Sequence, residues 1–241
     1  IDIDTLVDFT ITADDETDGS DTDTQADAVI SITTIFTDSE VGVSGTSTLN
    51  ADGAVTLNAA TDMEVTSVAD GAGVGNAGAS IAVSVIDTDT GVYFTDTASI
   101  AGDTNANAAS VALGATLDSD ITTTASSTTG GADSSATGDN ESEKRLKDPN
   151  QDGDLSDSAE TSEGSINLAG AVVVSVYLPT TEAYIDTSGS IDATGTLEVT
   201  ASATDIVTAT ADGSNTGGGG AGTGVGIGAA IAFNDVDTRA Y

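Results

Sequence analysis

Cysteine, histidine and tryptophan are absent from the 241 residues, and methionine occurs once. Without cysteine there are no disulfides, no thiolate metal sites and no thiol nucleophile. Without histidine the commonest general base and the commonest zinc ligand are missing. Four tyrosines and four phenylalanines leave little material for aromatic binding platforms. Four basic residues stand against 40 acidic ones, a net charge of −36. Nucleic acids and anionic membranes are bound through basic patches, so neither is expected as a main partner. No apolar run is long enough to cross a bilayer, and the first residues do not read as a signal peptide, so membrane insertion is not expected. Most enzyme chemistry is disfavoured by this inventory, and a non-enzymatic role is the expectation.

What is present argues against disorder. Disordered chains are rich in proline, glutamate and lysine and poor in β-branched residues. This chain has two prolines and 28 glycines and is dense in Val, Ile, Thr and Ala. Its acid is mostly aspartate, which favours turns over helices.

The chain also repeats itself. Ala79 to Phe94 aligns with Gly170 to Ile185, placing Ser84 on Ser175, Val85 on Val176, Thr90 on Thr181 and Tyr93 on Tyr184, an offset of 91. Ile231 to Tyr241 is a third copy 57 residues further on, and Ile30 to Val43 a degenerate one 51 residues before the Ala79 copy. Each complete copy continues into a second unit, at Gly45 to Leu49, Asp96 to Ile100 and Ser188 to Ile191. The period is thus 51 to 57, with one copy lengthened by an insertion of about 35 residues, and periods of this size signal solenoids, arrays or tandem domains. Within each copy, segments such as Thr196–Ala201 and Ala54–Ala59 alternate apolar with polar residues, as half-buried strands do. The segments around Ala79 and Ala229 are nearly continuous small apolar runs, expected of strands covered on both faces or stacked inside a coil. Asp-Gly, Thr-Gly and Ser-Gly pairs mark turns, and a short helix fits only near Glu141 to Leu146.

The expected fold is therefore all-β: a parallel β-solenoid with one inserted excursion, read below as a calcium loop. A chain of immunoglobulin-like sandwiches would need longer units and bulkier core residues. Solenoid repeats are expected over 1–130 and 164–241, with the insertion at 131–163 between them, and each repeat is expected to make two or three coils. Residues 1–25 read as the tail of a preceding repeat, and both ends read as cut rather than capped, which suits end-to-end stacking with neighbouring copies or repeats.

The unit GVGIGAAIAFNDVDTRAY (Gly224 to Tyr241), together with TTEAYIDTSGSIDATGTLEVTASA (Thr180 to Ala203), resembles repeats of giant bacterial surface and secreted adhesins of the hemagglutinin-like, autotransported or type I secreted kind. The resemblance covers most of the chain outside 131–163. It implies right-handed β-helix coils in a long extracellular or cell-surface stalk, and it transfers no catalytic residue.

The insertion holds the one locally specific motif. An EF-hand-type loop places oxygen ligands at positions 1, 3 and 5, glycine at 6, a backbone carbonyl at 7 and a bidentate acid at 12. Asp148, Asn150, Asp152, Gly153 and Asp154 match the first seven positions, and Leu155 the apolar eighth. The pattern is similar to the loops of dockerins and other extracellular calcium modules. Position 12 is Ala159 and the acid, Glu160, comes one residue late, so closure falls to Glu160 or Asp157. The candidate Ca2+ ligands are Asp148, Asn150, Asp152, Asp154, Ser156, Asp157 and Glu160; the alternative is an Asp-rich solvated loop. Lys144, Arg145 and Lys147, just before it, either neutralise its acids or form an exposed basic turn.

Other signals are weaker. The acids recurring between strands (Asp38 with Glu40, Asp87 with Asp89, Asp186, Asp235 with Asp237) read as solvated turns. The glycine run from Gly217 to Gly228 reads as a coil-to-coil turn, since it lacks the Lys-Ser/Thr of a phosphate-binding loop. Thr-x-Thr steps at Thr88 and Thr90, Thr122 and Thr124, and Thr208 and Thr210 fit strand propensity. The functional expectation is a structural segment or subunit of a calcium-stabilised extracellular fibre, stalk or sheath. The alternative is a glycan- or surface-binding module of a secreted adhesin. An aspartate-rich, lysine-poor chain also fits life in brine.

Overall fold

The computed structural model describes residues 1–16, 26–73, 77–101, 108–129, 167–214 and 224–241. Among them there is no helix. Eleven strands follow in order: β1 (Asp2–Glu16), β2 (Ala26–Val43), β3 (Thr48–Asn50), β4 (Ala54–Gly73), β5 (Ala77–Asp96), β6 (Ser99–Ala101), β7 (Ser110–Thr129), β8 (Asn167–Thr187), β9 (Leu197–Asp212), β10 (Gly224–Asn234) and β11 (Asp237–Ala240). β1, β4, β7 and β9 form one sheet, here sheet A; β2, β5, β8 and β10 form sheet B, which β11 extends beside β8; β3 and β6 pair as a third, short sheet. Every pairing is parallel.

The register follows the sequence repeat. Ser84 lies beside Ser175, Tyr93 beside Tyr184, Ile30 beside Ile81, and Ile231 beside Val174. The second unit of each copy stacks likewise, Leu49 on Ile100 and Ile100 on Ile191. β8 and β9 continue sheets B and A past the insertion. The offset between paired strands equals one repeat, so each repeat makes one circuit of the two sheets, not the two or three coils expected. The reason is strand length. A strand of about 20 residues spans roughly 65 Å, and two of them with a corner consume the whole repeat.

Sheets A and B pack face to face, and alternation decides which side chains meet. From β4, Val55, Leu57, Met63 and Val65 point inward, and from β5, Ile86, Val92 and Phe94; all are at most 1% exposed. Three apolar clusters fill the interior. The largest joins Leu57, Leu113, Val92, Phe94 and Ile100 near the corner carrying the short sheet. A middle one holds Ile35, Met63, Ile86 and Ile121, and a small-residue one Ala69, Ala82, Ala125 and Ala171.

Between the apolar clusters run hydroxyls. Ser84 is within 2.7 Å of Thr123 and donates to Ser175 at 3.0 Å, and Thr61 and Thr90 are 2.7 Å apart, all buried. These small hydroxyl side chains satisfy one another, whereas the hydroxyls of Thr33, Ser80, Ser127 and Thr181 are buried without a partner. At one column the interior turns from apolar to charged: Phe9, Met63, Ser119 and Asp205 stand in register. Opposite them, Tyr177 donates to Asp205 Oδ1 at 2.7 Å, with its hydroxyl 2.8 Å from Ser119, which itself donates to Asp205 at 2.8 Å. Burial pushes the Tyr177 phenol far above its ordinary pKa, with Asp205 adding to the rise. It therefore stays a neutral donor.

At the corner after sheet B the chain turns in the left-handed region at equivalent positions, Gly45 (φ 69°) and Asp96 (φ 63°). Asp96 is stabilised there because its carboxylate accepts from the Gly45 amide at 2.9 Å, and short polar side chains tolerate that region.

A hydrogen bond to a charged acceptor contributes about 1.5–3 kcal/mol. Tyr177→Phe is expected to lower unfolding free energy by about 2 kcal/mol in urea titration; an unchanged midpoint would show that the Tyr177–Asp205 contact contributes nothing.

Candidate functional site

The seven candidate calcium ligands from Asp148 to Glu160, the basic residues Lys144, Arg145 and Lys147, and the short helix expected near Glu141 all lie outside the described residues. The structure instead builds a site on the outer face of sheet B. In-register stacking turns single outward positions into columns. One runs Asp38, Asp89, Thr180, Asp237; the next Glu40, Gly91, Glu182, Arg239; the third Gly42, Tyr93, Tyr184 and Tyr241.

The tyrosines form a ladder. Tyr93 and Tyr184 stack with centroids 6.0 Å apart, and Tyr184 and Tyr241 at 5.3 Å and 10° between planes. The ladder needs room at its first rung, and Gly42 supplies it: a Cβ there would fall on the ring of Tyr93. Beside the ladder, Gly91 contributes no side chain between Glu40 and Glu182. The result is an open crevice of about 410 Å³ lined by Glu40, Asp89, Gly91, Tyr93, Glu182 and Tyr184. On the last rung Arg239 occupies the same column, donating to Glu182 at 3.2 Å and pairing with Asp237.

Burial, then the charges of Asp38 and Asp89, push the Glu40 carboxyl above its ordinary value. Burial, then Tyr241 and Glu182, push the Tyr184 phenol up. The crevice thus combines carboxylate acceptors with the Tyr184 phenol, which keeps its proton, a set suited to cationic groups or sugar hydroxyls. Among the described residues no group of three or more acids is arranged to hold a metal ion.

Several expectations change. Asp38 and Glu40 lie within β2, Asp87 and Asp89 within β5, and Asp186 within β8; they are outward strand positions rather than turns, because the long strands run straight through them. Thr88 and Thr90 face the interior, at most 2% exposed. The outward threonines instead form a sheet A column: Thr12, Thr66, Thr122 and Thr208. Gly224, Gly226 and Gly228 belong to β10 rather than to a turn. Of the two expectations for the apolar runs around Ala79 and Ala229, the strands are stacked in register within the coil rather than covered on both faces: Ile81 is 38% and Ile231 59% exposed. The tyrosine ladder was not anticipated, although the alignment of Tyr93 with Tyr184 and Tyr241 carried the signal once the strands are parallel and in register. No family description, no curated protein and no solved structure matches the chain.

Because its folded pKa is raised, Glu40 destabilises the fold when ionised. Its contribution is most favourable below the unfolded pKa and worsens as pH rises through the folded value. Glu40→Gln is therefore expected to raise the melting temperature slightly at pH 7, with the gain vanishing on acidification through the carboxylate range. An equal gain at all pH values would contradict this.

Proposed function

We propose that the chain is a structural rod: a right-handed parallel β-solenoid forming part of a calcium-stabilised extracellular fibre, stalk or sheath of the adhesin type. One observation carries the reading. Each long strand pairs with its counterpart one repeat away, so each added repeat lengthens the stack by one rung. Among the described residues, the outermost strands β1 and β2 at one end, and β9 and β10 at the other, each have a neighbour in their sheet on one side only. Sheet edges of this kind are templates for another rung, from a further repeat or from a neighbouring copy stacked end to end. Neutralising carboxylates would relieve self-repulsion in a chain of net charge −36.

The calcium part rests on the sequence of 148–160 alone. Asp148, Asn150 and Asp152 would supply side-chain oxygens, Asp154 its carbonyl, and Ser156, Asp157 or Glu160 the closure. Calcium titrated into chelator-treated protein is expected to bind with a Kd in the micromolar-to-millimolar range and to raise the melting temperature, with both effects lost in Asp148→Ala. Stability restored by sodium chloride alone, with no calcium binding, would refute the calcium-loop reading and favour adaptation to brine.

The crevice favours a second reading, a glycan- or surface-binding module, because carboxylates beside aromatic rings suit sugar hydroxyls. On a glycan array that reading requires binding that Tyr184→Ala abolishes while the melting transition persists. Array silence from the folded wild type would dismiss it.

A further inference from the structure

We infer that the outer face of sheet B is a lateral interface on which a second copy of this chain docks. The inference concerns the side of the stack, so it is independent of whether rungs add at the ends.

The face is apolar over most of its width. Ile32 and Phe36 on β2 are 68% and 72% exposed, and Ile231 and Phe233 on β10 are 59% and 54% exposed. Val83 and Val174 bridge Ile32 to Ile231 in register, with Ile81 and Val172 in the neighbouring column. From the column of Leu168 to that of Val176 no outward position of the four strands carries a charge, and Asp87 enters only at the rim. With strands ~4.8 Å apart and ~3.3 Å per residue, the charge-free face from Leu168 to Val176 covers roughly 550 Å². That lies at the upper end of the largest apolar patches of monomers and is about two-thirds of the ~800 Å² each partner gives to a stable complex. The outer face of sheet A is different in kind. There Asp8, Asp62 and Asp118 stand in one column with Glu64 and Asp120 in the next.

A second copy fits by symmetry. All four strands run in register without an offset, so the face is regular and complementary to itself, as a two-fold interface requires. A two-fold axis parallel to the stacking direction, through the middle of the apolar columns, lays apolar on apolar with the strands reversed. Among the described residues, the columns of Asp38, Asp89 and Glu182 then project past the Leu168 side of the other copy, and no acid meets an acid. What opposes pairing is the long-range repulsion of two chains at −36 each, and salt screens it, from a Debye length of ~30 Å at 0.01 M to ~3 Å at 1 M. Pairing therefore strengthens with salt, the reverse of an ionic interface.

The test is sedimentation velocity with small-angle scattering on the full chain at low and at near-molar sodium chloride. The expected result is a monomer in low salt and a pair in high salt, thickened across the sheets rather than lengthened along the stack. Ile32→Asp combined with Ile231→Asp is expected to raise the dimer Kd at least 100-fold. Leu6→Asp, at a 66% exposed position on sheet A, is expected to leave it unchanged. Circular dichroism and melting establish that both variants are folded. A wild type that stays monomeric in high salt overturns the inference. An Ile32→Cys thiol then distinguishes the reasons, reacting freely with maleimide if the face awaits a different partner and being protected if the chain's own residues cover it. A pair that survives the double aspartate variant overturns it equally.

Discussion

Parallel, in-register pairing is the constraint from which the rest of the molecule follows. When a strand lies beside its own counterpart from the next repeat, each position meets its like about 4.8 Å away, and whatever one residue does is multiplied along the column. Apolar and hydroxyl side chains gain from this. Leu57 and Leu113 stack in the interior, Ser84 hydrogen-bonds to Ser175, and Tyr93, Tyr184 and Tyr241 stack outside. Departures from likeness have local reasons. Glycine at 42 makes room for the Tyr93 ring, and Arg239 follows Glu182 where another carboxylate would have repelled it.

The same multiplication makes charge expensive. Two carboxylates about 4 Å apart in water repel by about 1 kcal/mol, and the Asp8, Asp62 and Asp118 column sets three in a row. Among the described residues nearly all the acid lies outside, where water and ions screen it. The interior admits Asp205, held by two hydroxyl donors on the last rung of sheet A. Sheet A carries its acid across the middle of its outer face, whereas sheet B confines acid to one end. That asymmetry leaves one face repulsive and the other apolar, and the proposed lateral pairing follows from it.

Much of the fold was legible in the sequence because repetition itself encodes register. The offsets of 91, 57 and 51 that align Ser84 with Ser175, Tyr184 with Tyr241 and Ile30 with Ile81 are the strand pairings themselves. The number of circuits per repeat was not legible, because alternation continues unchanged through a strand and does not say where it bends. Asp87 and Asp89 looked like turn residues for that reason; flanked by buried Thr88 and Thr90, they sit mid-strand with the polar face outward. Burial of the apolar runs was only half legible, since Ile81 and Val83 look alike in sequence whether a partner covers them or not. The crevice depends on Gly91 opposing Glu40 and Glu182, a relation between three rungs that no single segment contains. The candidate metal ligands rest on spacing alone.

The most direct test of this account is electron paramagnetic resonance on nitroxide pairs placed at two cysteines, in a chain that has none of its own. Labels at positions 62 and 118 share one column, with backbones about 5 Å apart, whereas labels at 62 and 122 are separated by about 14 Å. The account predicts strong dipolar and exchange broadening for the first pair and much weaker broadening for the second. Equal spectra, or stronger broadening for the second pair, would contradict in-register stacking of the repeats.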